Sequence, residues 1–188
     1  MNTRKLIGAF IAALALPALA DEAQLLGEAR EIPSKMVPKL LEVLQGEIDK
    51  NGHAEAISVC REKAPQMAKA LSEQTGWAIR RVSMKNRNVK AVPDAWETAV
   101  LQDFERRLAA GENPVQIDRG EVVTVDGQKM YRYMKALPTQ EICLNCHGTQ
   151  NKLGTGVEAR LKELYPGDKA TGYGLKEIRG AITIKKPI

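Results

Sequence analysis

The residues best placed to do chemistry lie late in the chain, at Cys143-Leu144-Asn145-Cys146-His147. Two thiols stand three positions apart, and an imidazole follows the second directly. This is the spacing of c-type haem attachment. Each thiol adds across one vinyl group of a single haem, and the next residue presents its imidazole to the iron from beneath the ring. The pattern therefore predicts one covalent haem c on Cys143 and Cys146, with His147 as an iron ligand.

Other uses of the pair fit less well. A redox-active dithiol belongs to a strand-turn-helix context, whereas Ala136-Leu137-Pro138-Thr139 leads into this one. A Cys₃His zinc site built with Cys60 would need the adjacent Cys146 and His147 to reach one metal. A disulfide between Cys143 and Cys146 leaves His147 without a role.

The chain has three cysteines and two histidines. For a second axial ligand, the residues alone leave Cys60, His53 and the methionines open. His53 and Cys60 are seven positions apart, about two helical turns, and so share one side of a helix. Cys60 lies on an apolar stripe, where an unligated thiol serves as a small core hydrophobe. Met67, Met84, Met130 and Met134 are expected in the core.

The N-terminus has the pattern of a secretory leader. Arg4 and Lys5 precede an apolar run from Leu6 to Leu16, and Ala18-Leu19-Ala20 forms a small-x-small cleavage site before Asp21. Residues 1–20 are read as a signal peptide and 21–188 as one haem domain, periplasmic or otherwise secreted. After cleavage no segment is apolar enough to be an integral membrane span. Loss of Arg4 and Lys5, with no acidic residue, lowers the net charge from +5 to +3. The remaining basic residues are scattered and aromatics are scarce, so no nucleic-acid partner is expected.

The elements that must position these groups can be read from periodicity. Asp21 to Arg30 predicts a short helix, and a second opens at Ser34-Lys35, with Met36, Val37, Leu40, Leu41, Leu44 and Ile48 at helical spacing. Asn51-Gly52 is its expected C-cap. His53 to Gln74 predicts a further helix that Pro65 should kink or split. Trp77 to Met84 reads as a strand and Lys85 to Val92 as a polar loop. Asp94 with Glu97 is a capping box for a helix to about Ala110. Val122–Val125 and Lys129–Lys135 flank Asp126-Gly127, a hairpin signal. The haem-binding turn follows, then a helix from Val157 to Leu164 and a strand from Ile178 to Ile184. Helices first, then antiparallel strands with helices between, predict an α+β domain.

Several strings recur in a specific order: Ala56-Ile57-Ser58-Val59-Cys60, Arg81-Val82-Ser83-Met84-Lys85-Asn86-Arg87-Asn88 and Pro93-Asp94-Ala95-Trp96-Glu97. After the haem motif come Tyr165-Pro166-Gly167-Asp168-Lys169-Ala170-Thr171-Gly172-Tyr173 and Arg179-Gly180-Ala181. Together they resemble the family of monohaem c-type proteins with a PAS-like fold, over nearly all of residues 21–188. The resemblance implies a PAS-like antiparallel sheet with N-terminal helices, holding one haem between His147 and Cys60 as axial ligands. Val89-Lys90-Ala91-Val92 departs from the Pro-Asn-rich turn expected of that family. Arg87, with Lys85 and Arg81, is a candidate partner for the haem propionates. Trp96 and Tyr133 are candidates to pack near the porphyrin or in the core.

His/Cys ligation predicts a low-potential iron, because a thiolate stabilises the ferric state. The expected function is a redox or small-ligand haem sensor, with a diatomic gas as a possible ligand and a redox or signalling protein as partner. The alternative is a periplasmic electron-transfer cytochrome. Catalysis would need an open iron site and a distal acid–base group, for which only His53 is available, so the chain is expected not to be an enzyme.

Overall fold

The computed structural model describes residues 16–188, with side chains from residue 21. Of the leader expected over residues 1–20, positions 1–15 lie outside the described residues. No described helix is long and apolar enough to cross a membrane.

The first helix, α1 (Leu16–Glu55), corrects one expectation. The two helices predicted on either side of Pro33 are a single helix, with Pro33 and Pro38 inside it and its bend at Gly52. Ala29, Ile32, Pro33 and Met36 are all buried, so the apolar stripe runs through Pro33, while Pro38 is exposed. Burial of that continuous stripe outweighs the hydrogen bonds the prolines cannot make. Further along, Leu40, Leu41, Leu44 and Ile48 are only half-buried.

The predicted split at Pro65 is present. Val59–Lys63 forms a π-helical segment, and α2 (Ala64–Thr75) starts immediately after it with the proline in its first turn. Cys60 therefore sits on a π segment between two α-helices.

Four strands follow: β1 (Ala78–Val82), β2 (Asp118–Val125), β3 (Gln128–Pro138) and β4 (Ile178–Pro187). They form one antiparallel sheet in the order β1-β4-β3-β2. Helix α3 (Ala95–Ala109) joins β1 to β2, while α4 (Glu141–His147) and α5 (Val157–Leu164) lie between β3 and β4. The α+β class and antiparallel sheet implied by the resemblance are thus present, as are the hairpin at Asp126-Gly127 and the helix from Val157 to Leu164. The segment expected as a haem-binding turn is helical. Met134 is buried, but Met84 lies beyond the end of β1 and is 52% exposed, not in the core.

Strand alternation gives the sheet two different faces. Tyr131, Tyr133, Ile182 and Ile184 pack with Trp77 under α1 and α2. Tyr133 is therefore a core residue. Val82, Met134, Ala136 and Ala181 pack under Val100, Leu101 and Phe104 of α3.

The α3 face also carries a buried polar network. Asp94 and Glu97 form the predicted capping box. Glu97, only 1% exposed, accepts hydrogen bonds from Arg80 and from Thr183 Oγ1 (2.9 Å), and pairs with Arg132 at 3.2 Å. Arg132 also pairs with Asp94 at 2.6 Å and covers the ring of Trp96 at 4.3 Å. Removing one member leaves a buried cation uncompensated, which costs about 3–5 kcal/mol. Glu97→Ala is therefore expected to lower the urea-unfolding free energy by about 3 kcal/mol or more; a loss below about 1 kcal/mol would show that the network is solvated.

Candidate functional site

The site forms where α4 meets the segment from Asp168 to Tyr173. Helical spacing places Cys143, Cys146 and His147 on one side of α4. The helix begins at Gln140, whose backbone N–H points at the Cys143 thiol (3.4 Å). It ends at Gly148, whose N–H donates to the Leu144 carbonyl (2.8 Å). A Cβ on residue 148 would lie 2.5 Å from that carbonyl oxygen, so the chain can leave His147 in this direction only with glycine there.

Three hydrogen bonds fasten the end of α4 to the returning chain. Gly172 N–H donates to the Gly148 carbonyl (2.8 Å) and Tyr173 N–H to the His147 carbonyl (2.9 Å). The third is made by the imidazole itself: His147 Nδ1 lies 2.7 Å from the Ala170 carbonyl oxygen. The Ala170 carbonyl only accepts and the Arg179 Nε–H only donates, so the two contacts ask opposite things of Nδ1; the shorter one, to Ala170, assigns the proton to Nδ1 and leaves Nε2 its lone pair. No partner for Nε2 is found among the described residues.

The returning segment is itself held in place. Arg87 is 8% exposed; it pairs with Asp168 at 3.0 Å and donates to the carbonyls of Cys146 (2.6 Å) and Ala170 (3.4 Å). Lys169 N–H donates to the Asn86 carbonyl, and Lys85 Nζ to the Thr171 carbonyl (2.6 Å). The loop after β1 thus positions both α4 and its clamp. Its Val89–Ala91 stretch, where the sequence departs from the family pattern, is a short 3₁₀ turn.

Arg179 contributes a feature that sequence reasoning missed. It is 5% exposed, with Nε 3.1 Å from His147 Nδ1 and Nη1 bound to Ser83 Oγ (2.9 Å) and the Lys85 carbonyl (3.1 Å). Its approach depends on the next residue: a Cβ on Gly180 would lie 2.3 Å from the Val82 carbonyl oxygen. Arg179 stood in one of the recurring strings, but nothing local to it signalled contact with His147. Asp168, Ala170 and Tyr173 were missed for the same reason.

Electrostatics and burial prepare the imidazole as a neutral ligand. Burial, then the charges of Arg179, Arg87 and Arg81, hold His147 well below the usual histidine pKa. A metal-binding imidazole must be unprotonated on the coordinating nitrogen. Burial also raises the thiols of Cys60 and Cys146, the latter to about 11. No disulfide joins any of the three cysteines.

Cys60 and Arg81 border the same space. They lie near each other and near Cys143; Cys60 is half-buried and Arg81 is exposed. Arg81 makes no ion pair among the described residues, whereas Arg87 is occupied by Asp168. His53 packs its Cβ against Gly154, whose N–H donates to the Asn145 carbonyl at 2.9 Å. Among the described residues, no three His, Cys, Asp or Glu side chains come close enough to hold a bare metal ion; the Cys₃His zinc arrangement is not assembled. A cleft of about 400 Å³ between α5 and the clamp shares Asp168 with the site but includes no cysteine.

The donor set fits a covalently held porphyrin. It offers two thiols on one side of a helix, an imidazole whose Nε2 has no partner among the described residues, a third thiol nearby and a guanidinium, Arg81, without an ion pair among the described residues.

A family model described as Tll0287-like matches residues 14–187. Among solved structures, the crystal structure of the cyanobacterial haem protein Tll0287 superposes with a TM-score of 0.61 at 22% sequence identity, covering 92% of this chain and 97% of that one. At that identity the likeness is one of fold. No curated protein matches the chain.

The close approach at the end of α4 yields a direct check. Gly148→Ala is expected to destabilise the protein by about 2 kcal/mol, measured by urea unfolding. Gly167→Ala, where nothing lies within 4 Å of the added methyl, serves as the neutral control. Equal stability of the two variants would mean that α4 can end differently.

Proposed function

The chain belongs to the Tll0287-like family, and we propose that it is an exported haem-binding protein carrying one covalent haem c. The observation that carries this reading is the bond from His147 Nδ1 to the Ala170 carbonyl at 2.7 Å. It fixes the tautomer that leaves Nε2 available, next to two thiols at the attachment spacing. When bound, the group supplies one-electron redox chemistry at an iron able to take a small ligand.

The chain's own residues would act as follows. Cys143 and Cys146 tether the porphyrin through thioethers. His147 holds the iron through Nε2 and is kept in orientation by Ala170 and Tyr173, as ligating histidines generally are by their outer partners. Cys60 would be the second protein ligand, its thiol giving up its proton on binding. Arg81 faces a propionate, while Arg87 holds α4 against its clamp.

We take redox or small-ligand sensing as the role. Support comes from where Cys60 sits: π-helical segments recur at functional sites, and this one carries the candidate ligand between two helices. A thiolate ligand favours ferric iron and so a low potential. A sulfur ligand on this segment would couple the oxidation state of a bound haem to the setting of the π segment, and its release would leave room for a diatomic gas. The reading of residues 1–20 as a leader supports an exported protein whose mature chain starts at Asp21.

Spectroscopy of purified protein tests the ligand set. The ferric form is expected to give the optical and EPR signature of a low-spin thiolate-ligated haem, lost in Cys60→Ser and kept in His53→Ala. Loss of the signature in His53→Ala instead would assign His53. The reduced protein is expected to bind carbon monoxide. An iron that stays six-coordinate and inert to carbon monoxide in both oxidation states would replace sensing with simple electron transfer.

A further inference from the structure

Arg179 is a buried cation without a carboxylate. Its side chain lies beneath the sheet end of the site, 5% exposed, and no acidic partner is found for it among the described residues. Neutral groups hold it instead: Ser83 Oγ and the Lys85 carbonyl on Nη1. Its planar face lies 5.4 Å from the Tyr173 ring centroid. Nε points at the back of the His147 imidazole, 3.1 Å from Nδ1.

That last contact is not an ordinary hydrogen bond. Nδ1 has already committed its proton to the Ala170 carbonyl at 2.7 Å, so it has no lone pair in the ring plane to offer Arg179. Two N–H groups therefore share one small space. A guanidinium remains protonated under physiological conditions. The fold thus keeps a full positive charge behind the ring and restrains it through Ser83 and the backbone. Gly180 permits this, since any larger residue would push β4 off Val82.

The position has a consequence for whatever His147 binds. A histidine whose outer N–H donates strongly to an acceptor becomes more basic and electron-rich. Ala170 acts in that direction, and a positive charge at Nδ1 acts against it. The same charge, close to the iron and poorly screened, favours the state with one more electron.

We propose that Arg179 is a positioning residue that sets the reduction potential of the site, raising it against the pull of the Cys60 thiolate. The proposal rests on the reading of His147 as the iron ligand. The reaction concerned is the one-electron reduction of ferric to ferrous iron, the electron coming from an external reductant. Arg179 neither gains nor loses a proton in it. The arrangement would place the protein's switching point by balancing two fixed features of the chain, a thiolate on one side and a guanidinium behind the other.

The test is an optical redox titration of full-length, haem-loaded protein, with dithionite as reductant, for the wild type, Arg179→Met and Arg179→Lys. Haem content is measured first by the pyridine haemochrome. Arg179→Met is expected to disfavour the ferrous state by about tenfold, 59 mV for a one-electron couple, and Arg179→Lys to keep most of the wild-type potential. A purely structural role would lower unfolding stability in both variants and leave the potential in place. A haem-loaded Arg179→Met that titrates with the wild type overturns the proposal while leaving the haem reading intact. A wild type without haem overturns both. Should Arg179→Met not fold, Ser83→Ala, which frees the guanidinium from one restraint, is expected to shift the potential in the same direction by a smaller amount; no shift there is equally decisive against the proposal.

Discussion

The hydrogen bond from His147 Nδ1 to the Ala170 carbonyl is the contact to which the rest of the site is subordinate. It decides which ring nitrogen is free and which way the ring faces. Its partner is a backbone carbonyl on a segment remote in sequence, so it exists only if that segment is placed to within a few tenths of an ångström. Arg87 and Asp168 place it from one side, and the backbone pairings of Gly172 and Tyr173 with α4 place it from the other. The loop that supplies Arg87 leaves the end of β1, and the sheet locks that end to β4 through Val82 and Ala181. A chain of ordinary contacts thus runs from the sheet to one imidazole proton.

The two faces of the sheet divide the work. On the α3 face, Glu97, Arg132, Arg80 and Asp94 form a compensated network whose charges balance locally. Around α4 the balance is different. Arg81, Arg87 and Arg179 come together, and Asp168 is the only carboxylate paired with them among the described residues. Clustered cations, two of them buried here, are costly unless something negative or electron-rich completes them. A porphyrin with two propionates and an iron bonded to a thiolate has that character. Arg81 stands exposed near Cys60, and Arg179 is buried against His147.

Much of this was legible in the sequence, for physical reasons that can be named. Cys143, Cys146 and His147 follow from a spacing that few other chemistries require. The Asp94–Glu97 cap, the Asp126-Gly127 hairpin and the split at Pro65 are local effects, and local effects are encoded locally. The helix through Pro33 was not legible, because burial of Ala29, Ile32 and Met36 on the sheet decides it. Met84 was misplaced because strand periodicity does not announce that the sheet ends at Val82. Arg87 was singled out as a cation beside the cofactor. The structure gives its guanidinium to Asp168 and to the carbonyls of Cys146 and Ala170. Arg179 and Ala170 were invisible for a shared reason: their importance lies in meeting His147 across 32 and 23 residues of chain. No periodicity or motif records such a meeting.

The central claim is that a porphyrin is bonded through sulfur to this polypeptide and held from beneath by the neighbouring imidazole. The most direct measurement is the intact mass of protein made with the c-type maturation machinery, taken after acid–acetone extraction. The account predicts the mass of the processed chain plus one haem, with the colour retained in the precipitate. A bare-chain mass with all colour in the solvent would contradict it.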